Sequence, residues 1–156
     1  MIGIIISIGI FSAAIYLLII LYLIIGIIRT NTEVIDTMPF ISVIVAAHNE
    51  SQNIDICLDA IINQDYPNDK MEIIIVNDRS KDDTGIKLSK YEKEHSYLHV
   101  ITIDKVDEGQ SPKKYALSQA VANAKGEIIA TTDADCKPRK HWLAMLSANF
   151  TSDTGM

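Results

Sequence analysis

Two carboxylates one residue apart, Asp133 and Asp135, follow directly on the run Ile128-Ile129-Ala130-Thr131-Thr132, and Pro138 closes the segment. Short apolar, β-branched runs of this length read as buried strands. The acids then fall at the carboxyl end of a strand, where open α/β sheets bind their ligands. Like charges this close raise each other's proton affinity unless a cation lies between them. Hard oxygen donors suit Mg²⁺ or Mn²⁺, the ions that accompany diphosphates. An ordinary acidic turn would look the same, because Asp is a common turn residue. What separates the two readings is whether other polar strand ends gather beside this one.

Two further strand-like runs end in the same way. Ile41-Ser42-Val43-Ile44-Val45-Ala46-Ala47 runs into His48-Asn49-Glu50-Ser51, a polar turn able to cap a helix, and Met71-Glu72-Ile73-Ile74-Ile75-Val76 runs into Asn77-Asp78-Arg79-Ser80. A pair of lysines, Lys113 and Lys114, follows Ser111-Pro112, a helix start with Ser as N-cap and Pro at the first helical position. Cations in a first turn oppose the helix dipole by a few tenths of a kcal/mol each, about 0.3 or more. A bound anion reverses that penalty; without one, both lysines are simply solvated.

The elements that must position these groups alternate. After the first strand, Ile54, Cys57, Leu58 and Ile61 recur at i, i+3, i+4 and i+7, the pattern of an amphipathic helix, which Asp65-Tyr66-Pro67-Asn68 breaks. A second helix is predicted over 82–94, weakened by Gly85, then a short strand over 98–103 and a polar loop over 104–110. In the helix opened by Ser111, Leu117, Ala120, Val121 and Ala124 make an apolar stripe and Gly126 is placed as its C′ residue. A last helix over 139–150 carries Trp142, Leu143, Leu146 and Phe150. Four strand–helix alternations predict a parallel α/β sheet covered on both faces. The loops after Ala47, Val76 and Thr132 then share one edge, which gathers Asn49, Glu50, Asp78, Arg79, Asp133 and Asp135.

Composition narrows the partners. Residues 1–28 carry no charge and are dominated by Ile and Leu, enough for a bilayer core of about 30 Å. No basic n-region or small-residue cleavage site marks this run as a secretory signal. Arg29 follows it with no basic residue before it, which places the rest of the chain on the cytoplasmic side. The net charge of −6 falls wholly on the remainder, a poor match for nucleic acid, and an anionic ligand would need cations supplied locally. Cys57 and Cys136 stand far apart and the four histidines are scattered, so neither a zinc site nor a disulfide framework is indicated, as in a reducing compartment. No G-x-G-x-x-G follows the first strand and no G-x-x-x-x-G-K-[ST] occurs. An Asp-x-Asp after an apolar strand also occurs in haloacid-dehalogenase-like phosphatases, with the first Asp as nucleophile. There it tends to lie on the first strand of the domain, and here it lies on the fourth.

Taken together, the motifs resemble family 2 glycosyltransferases. Ile41 to Glu50 is similar to their opening strand, which usually ends in a Pro-Ala-Tyr-Asn-Glu-like run, with Ala46 and His48 here at the Pro and Tyr positions. Asn77-Asp78-Arg79-Ser80 resembles their second motif, Lys114-Tyr115-Ala116-Leu117 their lysine-led Ala-Leu helix start, and Thr132-Asp133-Ala134-Asp135 their metal-binding Asp-x-Asp. The resemblance implies a glycosyltransferase A-type (Rossmann-like), mostly parallel sheet with flanking helices, preceded by a transmembrane helix. It implies a nucleotide-sugar donor, a glycan or lipid acceptor, Mg²⁺ or Mn²⁺, and inversion at the anomeric carbon. By position, Ala47, His48, Asn49, Glu50, Asp78, Lys113, Lys114 and Asp133 would hold the nucleotide sugar, and Asp133 with Asp135 the metal. The expected organisation is a transmembrane helix at 1–28, a linker at 29–38 and a donor-binding domain at 39–156. The general base and acceptor elements come later in such enzymes, so the chain reads as the donor half of a longer protein, with the base beyond Met156. A membrane-tethered, non-catalytic nucleotide-binding fragment or subunit is the alternative.

The expected location is the inner cell membrane, single-pass, with the domain in the cytoplasm. Protease added to intact cells should spare residues 39–156, and a carbonate wash should leave the chain in the membrane. Digestion from outside refutes the orientation; release by carbonate refutes the span.

Overall fold

Apart from Ser42, every residue of Ile41–Ala47 is apolar, so both faces of the strand must be covered. The computed structural model describes residues 2–29, 38–105 and 111–150, and it covers them so. Residues 30–37 of the expected linker, 106–110 of the expected loop and the tail at 151–156 lie outside the described residues.

Helix α1 (Ile2–Arg29) forms one unit, and the sheet with its helices another. Within α1, Gly9–Gly26 is long and apolar enough to cross a membrane. The second unit runs β1 (Ile41–Ala47), α2 (Ile54–Ile62), a single 3₁₀ turn (Asn68–Lys70), β2 (Met71–Asp78), α3 (Thr84–Glu94), β3 (Leu98–Ile103), α4 (Pro112–Asn123), β4 (Ile128–Asp133) and α5 (Trp142–Ala148). All strand pairs are parallel, in the order β3-β2-β1-β4. The chain steps outward from β1 to β3 and then returns to the far side of β1, which makes the β1–β4 boundary a switch point where ligands bind.

The strand period of two sorts the core. Val43, Val45, Ala47, Ile73 and Ile75 pack with Ile54, Cys57, Leu58 and Ile61 of α2, Leu88 of α3 and Leu143 of α5. Ile44, Ile74, Val76 and Ile103 pack on the other face against Ala116 and Ala120 of α4. Each large aliphatic side chain so buried contributes about 1.5–3 kcal/mol.

Several boundaries differ from expectation, each for a physical reason. β2 extends two residues further, because Asn77 pairs with Ala47 and Thr102, and Asp78 with Ile103. Asp133 is likewise the last strand residue, opposite Ala46. α2 is entered not from His48 to Ser51 but from Asn53, after the Glu50 carbonyl accepts from the Asn53 and Ile54 amides. α3 starts at Thr84 and α5 spans only Trp142–Ala148. Ser111 occupies the N-cap of α4 but its hydroxyl makes no cap hydrogen bond. The face of α4 on the sheet is centred on Ala116 and Ala120, with Leu117 and Ala124 of the expected stripe partly buried beside them and Val121 turned out at 46% exposed, because small side chains let the helix approach the sheet closely.

Gly126 is also not a C′ residue, since α4 already ends with Ala124 in an extended conformation. Its glycine is required by a close approach. A Cβ there would lie 2.3 Å from the Ser42 amide nitrogen and 2.7 Å from Ser42 Oγ. The Gly126 N–H donates to Ser42 Oγ (2.7 Å), Ser42 donates to buried Glu72 Oε1 (2.5 Å), and the Lys125 N–H donates to the same carboxylate oxygen (2.6 Å). This latch fixes where β4 begins against β1.

Gly126→Ala should destabilise the domain by about 1–3 kcal/mol, the usual cost of overpacking a closed site. Trp142, the only tryptophan, packs on the core and reports the transition in denaturant by its fluorescence. An unchanged midpoint would show that the β1–β4 entry yields freely.

Candidate functional site

Three strand ends and the start of one helix enclose a cleft of about 300 Å³ at the carboxyl edge of the sheet. Ala46, Ala47, His48 and Glu50 line it from β1 and its turn, Asp78 from β2, Asp133, Ala134 and Asp135 from β4, and Lys113 with Ala116 from α4. The alanines leave the space; the charged groups surround it.

The wall from β1 and β2 is built by hydrogen bonds between their two turns. The Asn49 amide donates to Ser80 Oγ (3.0 Å), and Asn49 Oδ1 accepts from the Lys81 amide (2.8 Å). The Glu50 amide donates to Thr84 Oγ1 (2.9 Å), and the Ser51 amide to Asp82 Oδ2 (3.1 Å). Asp82 Oδ1 in turn accepts from the Thr84 hydroxyl (2.5 Å) and amide (3.1 Å). Asn49 and Arg79 sit at the bends with φ of 56° and 54°, left-handed conformations that these contacts hold. His48 Nδ1 contacts the Asp78 carbonyl, an acceptor, and Nε2 accepts from Asn49 Nδ2 (3.1 Å). The two contacts together select the neutral imidazole with its proton on Nδ1. Asp78 itself is gripped by its neighbour, Arg79 Nε on Oδ1 (2.7 Å) and Nη2 on Oδ2 (3.1 Å), a two-point pairing that raises the guanidinium's pKa. Asn77 Oδ1, one residue earlier, is the only buried side-chain polar atom without a partner among the described residues; nothing in the structure explains it.

The opposite wall is set by Asp133. Its carbonyl accepts from Cys57 Sγ (3.6 Å) and from the Cys136 amide (3.1 Å), which fixes the strand end on α2. Burial, with lesser contributions from nearby Cys136, Asp135 and Glu50, pushes the Cys57 thiol up to about 12, so Cys57 is a structural donor and not a nucleophile. The Asp133 carboxylate faces outward and accepts from Lys113 Nζ at 2.8 Å. That hydrogen bond, and then the Asp133 charge, raises the lysine's pKa.

Of the residues singled out from sequence, Ala47, His48, Glu50, Asp78, Lys113, Asp133 and Asp135 converge on the cleft. Asn49 and Lys114 do not line it. The Asn49 side chain is spent on Lys81 and His48. Lys114 is exposed, and Lys113 enters the cleft because it lies three residues before buried Ala116 and shares its side of the helix. Sequence reasoning did not single out Ser80, Asp82 and Thr84, which hold the turns. Their signal was local: a Ser/Asp/Thr cluster directly before a helix.

The donor set bears on a metal. Among the described residues no group of three or more His, Cys, Asp or Glu is arranged to cage an ion. Asp133 and Asp135 alone suit Mg²⁺ or Mn²⁺, which keep waters and phosphate oxygens as most of their shell. The residues present fit such an ion.

The model for glycosyl transferase family 2 matches residues 42–155. Glycosyltransferase AglE of Haloferax volcanii is 32% identical over 107 residues, which are 69% of this chain and 34% of that protein. Among solved structures, mannosyltransferase PcManGT from Pyrobaculum calidifontis in complex with GDP-Man and Mn²⁺ is 34% identical with a TM-score of 0.55, covering 64% of this chain and 28% of that one. S. aureus TarS 1-349 in complex with UDP-GlcNAc is 30% identical with a TM-score of 0.58, covering 69% and 30%. The chain thus spans about a third of the length of each.

Hydrogen bonds from Thr84, foremost, and from Ser51 hold the Asp82 carboxyl well below the usual carboxylate range. A carboxylate depressed in the folded state lends stability that is complete above its unfolded pKa and is lost as pH falls towards the folded one. Asp82→Asn should therefore lower the unfolding midpoint at neutral pH, and its gap from wild type should narrow once the pH drops through 3.8. An equal gap at about pH 7 and about pH 2.5 would show that the ionised carboxylate is not what holds the turn.

Proposed function

The chain belongs to glycosyl transferase family 2, and from that premise we propose that its sheet domain binds the donor of a membrane-anchored, metal-dependent, inverting glycosyltransferase. The enzyme would move a sugar from a nucleoside diphosphate donor to a glycan or lipid acceptor. The fold is of the glycosyltransferase A type. The observation that carries the reading is the meeting of Asp78, Lys113, Asp133 and Asp135 in one cleft at the β1–β4 switch point. The cytoplasmic placement of the domain in this proposal is supported by the apolar span and by Arg29 directly after it.

In this reading Ala47, His48 and Glu50 with Asp78 hold the base and ribose. The carboxylate of Asp78, already oriented by Arg79, accepts hydrogen bonds from the nucleoside. Asp133 faces ribose and metal, and Asp135 completes the metal's protein ligands. Lys113 and the amides at the start of α4 face the diphosphate. When the acceptor hydroxyl attacks the anomeric carbon and passes its proton to a general base, the bond to the diphosphate oxygen breaks and its electron pair leaves with the nucleoside diphosphate. A divalent ion, when bound, supplies Lewis-acid stabilisation of that growing charge. The chain's own contribution is to hold the diphosphate between Lys113 and two carboxylates that would otherwise repel it.

Calorimetry of UDP and GDP binding to the full chain in detergent, with and without Mn²⁺, tests this. Wild type should bind at least about tenfold more weakly without the ion, as expected where a charge-bridging contact is lost. Asp135→Asn keeps the shape and removes one charge, so its binding should no longer respond to Mn²⁺. Metal-independent binding by wild type would sink the site as drawn. A covalent phosphoryl group on Asp133 after exposure to phosphate esters would favour the phosphatase chemistry instead.

A further inference from the structure

The Lys113–Asp133 pair has a consequence beyond holding the donor. Lys113 is the only cationic side chain lining the cleft among the described residues, against Glu50, Asp78, Asp133 and Asp135. Arg79, the nearest alternative, is spent on both oxygens of Asp78. The Lys113 ammonium lies 2.8 Å from Asp133 Oδ1, a hydrogen-bonded ion pair on a carboxylate that a divalent ion would also use. The two side chains are 65% and 58% exposed, so no packing holds them together. An exposed pair of this kind is weak and easily exchanged. It is nonetheless a competitor: an ammonium and a divalent ion drawn to the same carboxylate repel each other at such range.

We infer that Lys113 is a displaceable counter-ion, which occupies Asp133 while the cleft is empty and transfers to the diphosphate when a divalent ion takes the carboxylate. The inference rests on the donor-site reading above and adds to it an order of events. The free ion meets an occupied carboxylate and binds poorly. The ion arriving with a nucleoside diphosphate brings the lysine a new partner, so its displacement costs little. Metal and nucleotide therefore enter together, and by linkage each strengthens the other by the same factor. Lys113 enlarges that factor by opposing the ion alone and favouring the pair. Its position in the first turn of α4 suits the exchange, because a cation there is poorly placed without an anion nearby.

The test measures Mn²⁺ binding to the full chain in detergent from the electron paramagnetic signal of the free ion. Wild type, Lys113→Met and Lys113→Arg are compared with and without saturating UDP or GDP. Lys113→Met should bind Mn²⁺ alone about threefold to tenfold more tightly, by relief of the competing charge. The same variant should bind the nucleotide in saturating Mn²⁺ about tenfold more weakly, having lost a charge-assisted contact. Opposite signs from one substitution are not expected of a lysine that merely steadies the loop. Lys113→Arg keeps the charge and should leave Mn²⁺-only binding near the wild-type value. The exposed position makes both variants safe for folding, which Trp142 fluorescence checks. If wild type takes up no Mn²⁺ even with nucleotide, the donor-site reading falls and this inference with it. If wild type does, but Lys113→Met binds Mn²⁺ alone no more tightly, or Lys113→Arg behaves like Lys113→Met, only the exchange is refuted.

Discussion

Parallel pairing of β1 with a neighbour on each side places every strand-borne group in the cleft, because parallel strands end on the same edge and bring their last residues into line. The register sets Ala46 opposite Asp133 and Ala47 opposite Asn77. A slip of one residue would turn Val43 and Val45 from the α2 face to the α4 face, and would exchange the inward and outward groups at the strand ends. The register is held at the other end of the sheet, where Ser42, Glu72 and the Lys125 and Gly126 amides close a buried hydrogen-bonded latch. A carboxylate desolvated there is tolerated because it accepts from both a hydroxyl and an amide. A polar contact at the opposite end of the strands thus helps decide which residues reach the cleft.

At the cleft itself, covering both faces of the sheet leaves only the strand ends for polar groups, and four of the five charged groups there are acids. The structure manages this crowding by pairing. Asp78 is neutralised by its own neighbour, held in a left-handed bend for the purpose, while Asp133 is neutralised by a lysine from another element. The two pairs differ in how easily they open. The Arg79 fork is bidentate and its carboxylate only 10% exposed, which suits a permanent fixture. The Lys113 pair is a single contact open to water, which suits exchange.

Strand and helix identity, their alternation and the common edge were all legible in the sequence, because unbroken apolar strands need a sheet covered on both faces, and strands that alternate with amphipathic helices build such a sheet in parallel. Ile54, Cys57, Leu58 and Ile61 gave the buried face of α2 by period alone. The acids at the ends of β2 and β4 marked the cleft for the same reason: polar residues directly after apolar strands have nowhere else to lie. The stripe on α4 was right for Ala120, Leu117 and Ala124 but took in exposed Val121 and left out Ala116, because period favours large residues whereas close contact with the sheet selected an alanine, which carries little weight in any hydrophobic count.

Sequence by itself therefore determined the order of elements, the edge on which the acids gather and the membership of most cleft residues. It could not determine which of two adjacent lysines faces the cleft, since that depends on the rotation of α4 fixed by Ala116 against the sheet. Nor could it assign Gly126, where a helix end and a close backbone approach call for the same residue type, and only the 2.3 Å left for a Cβ decides. The Ser80, Asp82 and Thr84 cluster was visible locally, but its partners in the first turn were equally out of reach. Those contacts join residues about thirty positions apart, and no local pattern encodes a distance that exists only once the strands have paired.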